Sequence, residues 1–387
     1  MRVVMVINRY YPYIGGNEIQ CKLLSEELMS LGVRVSVITS WLRGTRLCED
    51  MNGIRIYRIL PHASSKIMLW PVGFLRNAIL LAFMLVRGET YDVIHVHQAI
   101  GYALGAVIAA KLLHKKSLVK VSGGGSSGNM AFWQTRYMGF LAIRLLKKAD
   151  VIVSVSDEIT RELSSKGIKN NVITIYNGVR IREGKKFKKN FYDMNEVGVR
   201  HQNIATYVGR LSEEKGVDIL LKAWQDVIKH VPQALLVIVG DGPQRIMLQQ
   251  LADASGMMET VLFTGEQSDV AAYLQRSDIF VLPSRGEGMS NALLEAMSYG
   301  LPCIVSATGG NLKLIRHNET GMTFDSEDHQ SLARCMIELF QKEDIAHSIG
   351  SRAEDLVKNE FSIGIIANQY LRLYRSLLKS RAIQIIL

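Results

Sequence analysis

Two glutamates eight positions apart, Glu287 and Glu295, stand in the stretch 280–302, FVLPSRGEGMSNALLEAMSYGLP. The apolar run 279–282 predicts a buried parallel strand, and residues 284–288 the turn that leaves it. A helix is expected to begin at Ser290 or Asn291, both good N-cap residues, and to stop at Gly300 with Pro302 beyond. Glu287 then lies in the loop at a strand's carboxyl end, and Glu295 about one turn into the helix. The backbone N–H groups of Gly288, Met289, Ser290 and Asn291 fall between them, at the positive end of the helix dipole. Such a set could hold a ligand with a diphosphate in its middle and hydroxyl-bearing sugars at both ends, as a nucleotide-sugar has. A bare pair at this spacing could also be a solvated loop residue and a surface helix residue.

The segment 208–216, VGRLSEEKG, reads as a strand, a glycine-containing turn and a helix. That places Arg210 and Lys215 at a strand's carboxyl end, where open α/β sheets bind ligands. Two fixed cations there could stabilise the charge that develops on a departing diphosphate; the ordinary alternative is an ion-paired surface Arg and Lys. Near the amino terminus, PYIGG at 12–16 follows the first strand and precedes a helix, so Gly15 and Gly16 could admit a phosphate or sugar close to the backbone, or simply make a tight turn. His95 and His97 share one face of a short strand, either aimed at a site or buried, with His97 at its carboxyl end the better candidate. No third ligand near them suggests a metal site.

These residues need two sheets to carry them. Apolar runs at 3–7, 33–39, 54–60, 93–97, 118–122, 151–155 and 172–176 alternate with helical patterns, and runs at 205–208, 235–239, 261–264, 279–282 and 303–306 repeat the alternation. That predicts an α/β chain of two doubly wound, parallel-sheet domains, which 387 residues can fill with two cores. The expected boundaries are 1–180, a basic linker 181–202 and 203–362, with an amphipathic basic helix over 363–387. Four isolated cysteines fit a reduced, cytoplasmic setting better than a zinc or disulfide framework. The start, MRVVMVINRYYP, reads as a strand and not as a signal peptide, and the apolar run 78–86 is too short to span a bilayer.

Charge is uneven. Residues 1–200 hold 29 Lys/Arg against 14 Asp/Glu, and the remainder 17 against 22, which together give the net +10. The basic half, with aromatic and basic residues interleaved at 130–148 and an apolar stretch at 67–86, points to an anionic membrane surface or to ordinary core-facing helices. No nucleic-acid motif is present.

Residues 287–295, EGMSNALLE, with LPS before and EAMSYGLP after, resemble the glutamate-x7-glutamate motif of retaining GT-B glycosyltransferases, family 4 in particular. The resemblance runs from Gly15 through Thr308-Gly-Gly-Asn, and implies a GT-B architecture of two Rossmann-like domains facing across a cleft. It implies that Arg210 and Lys215 hold the donor diphosphate, that Glu287 meets the donor sugar and Glu295 the ribose, and that the Gly15–Gly16 loop faces the donor. Gly265 and Gln267, after the strand 261–264, fall where the family holds the nucleotide base. The last helix is implied to cross back to the first domain. No cofactor and no metal are implied beyond a nucleoside-diphosphate sugar, and the acceptor is a hydroxyl compound such as a lipid-linked saccharide in surface polysaccharide assembly. One departure stands out. Many members carry a histidine after the strand that here reads LVKVS, where this chain has a glycine-rich loop at 122–128, and Lys120 is the polar group that could replace it on the acceptor side. Other readings are a nucleotide-sugar epimerase of the same fold, a silent membrane-associated subunit, and a nicotinamide oxidoreductase, which the missing G-x-G-x-x-G after the first strand disfavours.

Overall fold

The computed structural model describes residues 1–13, 15–60, 69–87, 91–99, 102–123, 143–144, 146–181 and 203–379; for 69–74 and 87 it describes the helix but not the side chains. The expected linker beyond 181, the glycine-rich loop beyond 123, the stretch 130–142 and the chain beyond 379 lie outside these residues. Two compact units result, one from Met1–Gly178 with Ile363–Leu387 and one from Val179–Ser362.

The first unit is built on an eight-stranded sheet: β1 (Arg2–Val6), β2 (Arg34–Ser40), β3 (Cys48–Met51), β4 (Ile54–Leu60), β5 (Val93–Val96), β6 (Lys116–Val121), β7 (Val151–Ser154) and β8 (Val172–Thr174). Their order is β3-β4-β2-β1-β5-β6-β7-β8, and every pairing is parallel except β3 with β4. Helices α1 (Gly16–Ser30), α2 (Leu69–Arg87), α3 (Ala103–Leu112) and α4 (Asp157–Ser165) accompany it. Side chains alternate between two buried faces, which is why the strands read as continuous apolar runs. Val4, Val6, Ile94 and Val119 meet Leu80, Met84 and Val107 on one face, while Val3, Met5, Val93 and Leu118 meet Leu24 and Leu28 on the other.

The second unit has a six-stranded parallel sheet, β9 (Asn203–Val208), β10 (Ala234–Val239), β11 (Val261–Gly265), β12 (Ile279–Leu282), β13 (Cys303–Ser306) and β14 (Met322–Phe324), in the order β11-β10-β9-β12-β13-β14. Its helices are α5 (Val217–His230), α6 (Arg245–Ala254), α7 (Ala271–Arg276), α8 (Asn291–Ser298), α9 (His329–Gln341) and α10 (Glu343–Glu360). The chain then gives its last described helix, α11 (Ile363–Leu378), to the first unit, where Tyr370, Leu373 and Tyr374 close the core over Leu24 and Leu28 of α1.

Each strand expected from the apolar runs is present, β4, β12 and β13 with the expected bounds and the others with an end moved by one or two residues. β3 and β14 were not legible. The sequence CEDM of β3 puts charge on a sheet edge, where a strand needs no apolar face. The three residues of β14 are too few to show a period.

Candidate active site

In the second unit β9 is flanked by β10 and β12, so the strand order reverses beside it, and ligands of open α/β sheets bind at the carboxyl ends there. β9 runs through Arg210 into a 3-10 turn, Glu213–Lys215, and β12 runs into the loop that carries Glu287. The two loops meet. Lys215 Nζ donates to Glu287 Oε2, and Ser284 Oγ donates to the same oxygen at 3.3 Å. Arg210 is exposed and its guanidinium makes no ion pair among the described residues, so one of the two expected cations is committed and the other is open.

Several contacts fix this pair. Arg285, in the Glu287 loop, donates its backbone N–H to Glu214 O at 2.8 Å and a guanidinium N–H to Glu213 O at 2.6 Å. Its other contacts are a fork on Asp218 at 2.9 and 2.8 Å and an ion pair with Glu327 at 2.6 Å, which raise its pKa further and keep it charged. Gly216, at φ 65°, packs its Cα against the Pro283 carbonyl, a position that any side chain would fill. On the far side Gly309, at φ 70°, lets the turn after β13 close on the Glu287 carbonyl, which accepts the Gly310 N–H at 2.9 Å. Ser306 and Thr308 donate their hydroxyls to Ser284 O.

Helix α8 begins as expected. Ser290 is its N-cap and accepts the Leu293 N–H at 3.4 Å, and Glu295 lies one turn in, half-buried. One of the four expected amides is already engaged. The Ser290 N–H is spent on Asn311 Oδ1 at 3.0 Å, because Asn311 folds back from the turn after β13. Met289 is buried, and Gly288 and Asn291 flank the helix start. At the end of β11, Gly265 sits at φ 74° with its carbonyl accepting the Gly240 N–H at 2.8 Å, and beyond it Gln267 donates to Thr264 O at 2.9 Å. Their inward groups brace this turn. Among the described residues no cluster of three or more His, Cys, Asp or Glu is gathered as for a metal ion.

Comparison with known proteins gives the pair its context. Residues 193–356 match the family Glycosyl transferases group 1, and residues 14–183 match Glycosyltransferase Family 4. The chain belongs to glycosyltransferase family 4. It is 28% identical to the N-acetyl-alpha-D-glucosaminyl L-malate synthase of Bacillus anthracis, over 95% of this chain and 96% of that relative. It is also 28% identical to the UDP-Gal:alpha-D-GlcNAc-diphosphoundecaprenol alpha-1,3-galactosyltransferase of Escherichia coli, over 74% of this chain and 76% of the relative. HepE of Anabaena, in a crystal structure with UDP and glucose, shares the fold with a TM-score of 0.79 at 18% identity, covering 97% of this chain and all of that one.

In this glycosyltransferase the first unit has its own strand-order reversal, at β1 between β2 and β5. Gly15 caps α1 and Gly16 opens it, so the glycine pair stands at a helix N-terminus beyond β1. Glu18 folds back over Gly15. His97 and Lys120, the other acceptor-side candidates, are both buried in this unit. The His97 ring stacks on His95 at 4.2 Å, both are buried, and His95 Nδ1 lies 2.6 Å from Tyr374 Oη of α11. Burial holds both imidazoles well below their ordinary pKa, hence neutral. Lys120 is 2% exposed and donates to Asn177 Oδ1 at 2.9 Å, beside the point where the chain leaves this unit. On this face of the sheet α11 meets His95, while His97 Nε2 lies 3.1 Å from Met5 Sδ of β1 and Lys120 is closed in beside Asn177.

Arg285, Asn311 and Ser306 were missed in the sequence. Thr308-Gly-Gly-Asn was the one local signal, and nothing in RGEG marks its arginine as the brace between two loops.

Proposed function

We propose that this chain is a retaining, metal-independent glycosyltransferase whose donor is a UDP-sugar. The observation that carries the reading is the Lys215–Glu287 pair at the β9/β12 carboxyl ends, with Arg210 open beside it. The arriving diphosphate would draw Lys215 away, adding to Arg210 a second cation on the leaving group and freeing Glu287 for the donor sugar's hydroxyls. Glu295 would take the ribose. The acceptor oxygen would form its bond to the anomeric carbon from the face on which the carbon–phosphate oxygen bond breaks. The departing phosphate oxygen accepts the acceptor's proton, so the step needs no enzymic base. Support for uridine comes from neighbours whose structures hold UDP, and for a lipid-linked saccharide from the diphosphoundecaprenol relative. The first unit is read as the acceptor side.

We place the enzyme on the inner face of a membrane. Among the described residues no helix is long and apolar enough to cross one. The outer face of α2, however, carries Leu75, Ala78, Ala82, Leu85 and Val86 at helical spacing, all exposed, with Val86 83% exposed. That apolar stripe on a unit rich in Lys and Arg suits anionic lipid.

Calorimetric titration with UDP, GDP and ADP and their sugar conjugates, in EDTA, tests the donor reading. Tight binding of a UDP-sugar is the expected result. Binding of none of them would remove it and favour a silent subunit, and epimerised donor accumulating without acceptor would favour an epimerase.

A further inference from the structure

A second set of cations, untouched by the reading above, lies at the carboxyl ends of β1 and β2 in the first unit. Arg76 points inward from α2 and is only 9% exposed. Its Nη2 donates to Asn8 Oδ1 at 2.6 Å and to Ser40 Oγ at 3.0 Å, and its Nε has no partner among the described residues. Asn8 follows β1 and Ser40 ends β2, so the guanidinium is held over both strand ends. Its face lies against the Tyr102 ring, 5.4 Å from the centroid. Arg9 is the next residue on the β1 loop. Its guanidinium lies over Tyr13 at 4.4 Å, and its Nε is likewise buried without a partner among the described residues.

Neither arginine has a carboxylate ion pair among the described residues, whereas buried Arg58 in the same unit pairs with Glu49 at 2.6 Å. Glu18, 9% exposed, feels the charge of Arg9 and forms no ion pair with either arginine among the described residues. Its carboxyl is pushed up by burial, against a bond from its own backbone N–H and the charge of Arg9. Burying a guanidinium costs several kcal/mol unless a counter-charge and hydrogen bonds offset it, and neutral Asn8 and Ser40 supply only the hydrogen bonds. Two arginines each with an N–H to spare, held rigid by aromatic faces and strand ends, are built to receive a planar or tetrahedral oxyanion.

We propose that Arg9 and Arg76 form an anion-recognition site that takes the phosphate or carboxylate group of an anionic acceptor. Assigning that anion to the acceptor rests on the glycosyltransferase reading; the binding of an anion at this place does not. Glu18, across the loop, is left to accept a hydroxyl of the same molecule.

Calorimetry of the full chain with pyrophosphate and with succinate tests it, in the Arg210→Ala/Lys215→Ala background so that the second unit's cations do not contribute. Saturable binding is expected there, and adding Arg76→Gln or Arg9→Gln should weaken it about 10- to 100-fold. A preference for pyrophosphate assigns a phosphate-bearing acceptor, and a preference for succinate a carboxylate-bearing one. No saturable binding of either anion, or binding unchanged in both Gln variants, overturns the proposal. Arg9 is only half-buried, so Arg9→Gln keeps the test open if Arg76→Gln unfolds, which its thermal melt would show. UDP binding to the unsubstituted chain separates the two readings. If UDP binds and the anions do not, this site fails while the transferase stands; if the anions bind and no nucleotide does, the reverse holds.

Discussion

At the scale of single residues, Glu287 and Lys215 are expected to matter most, because on the proposed reading each group would exchange its present partner for the donor. Lys215→Ala and Glu287→Ala should each lower kcat about 100-fold or more, as loss of a group that acts on developing charge does. Glu295→Ala should chiefly raise the KM for donor, about 10-fold. Steady-state kinetics checks all three, and full activity in Lys215→Ala would remove the diphosphate assignment. Lys120 offers a stability test. Burial lowers its ammonium from 10.5 to about 8, with the Cys21 charge acting weakly the other way. Between those values the unfolded chain keeps a proton that the folded chain has released, so this group's contribution to stability rises with pH. The cost of burying the charge is complete below about pH 8 and is lifted above it. Relative to Lys120→Met, the parent should gain about 1.5 kcal/mol between pH 8 and 9.5, read from urea melts at each pH. Parallel curves would mean the lysine is not buried as an ammonium. Residue types announced the glutamates and cations because charge at a strand's carboxyl end has few structural reasons to exist. The same logic could not tell His97 and Lys120 from core, since a polar side chain's neighbours across the sheet are not written in its own segment.

At the scale of elements, the site depends on turns that press two or three loops together. Gly309 is the sharpest case. A side chain there would adopt an unfavourable positive φ and meet the Glu287 carbonyl. Gly309→Ala should cost about 1–3 kcal/mol and reduce kcat by displacing Glu287, measured by a thermal melt alongside turnover. Unchanged melting and turnover together would show that the loop yields freely. The start of α8 could be read directly, because capping by Ser290 and the stop at Gly300 are local rules. The loss of the Ser290 amide to Asn311 could not, since the partner lies 21 residues on and arrives only through the β13 turn.

At the scale of the whole molecule, the chain's two ends belong to one unit. Ending the chain at Ser362 would strip Ile366, Tyr370, Leu373 and Tyr374 from the core face of the first unit, and should abolish its cooperative unfolding. A calorimetric scan that kept two transitions would contradict this. Charge and exposure make the other molecular prediction. Vesicles containing anionic lipid should co-sediment the protein more than neutral ones, and Leu85→Glu/Val86→Glu should reduce that several-fold. Equal or absent binding to both vesicle types would sink the membrane reading. The sequence by itself determined the alternation of strands and helices, the parallel sheets and the donor-side motif, because each follows from periodicity and from residue types within about 20 positions of one another. The tertiary structure alone decided which polar groups stay open. Lys215 is paired, Arg210 is exposed with no ion pair among the described residues, Lys120 and His97 are buried in the first unit, and Arg9 and Arg76 are gathered at the ends of β1 and β2. The physical reason is that burial and pairing belong to neighbours brought together by sheet order, and sheet order is set by packing across the whole domain.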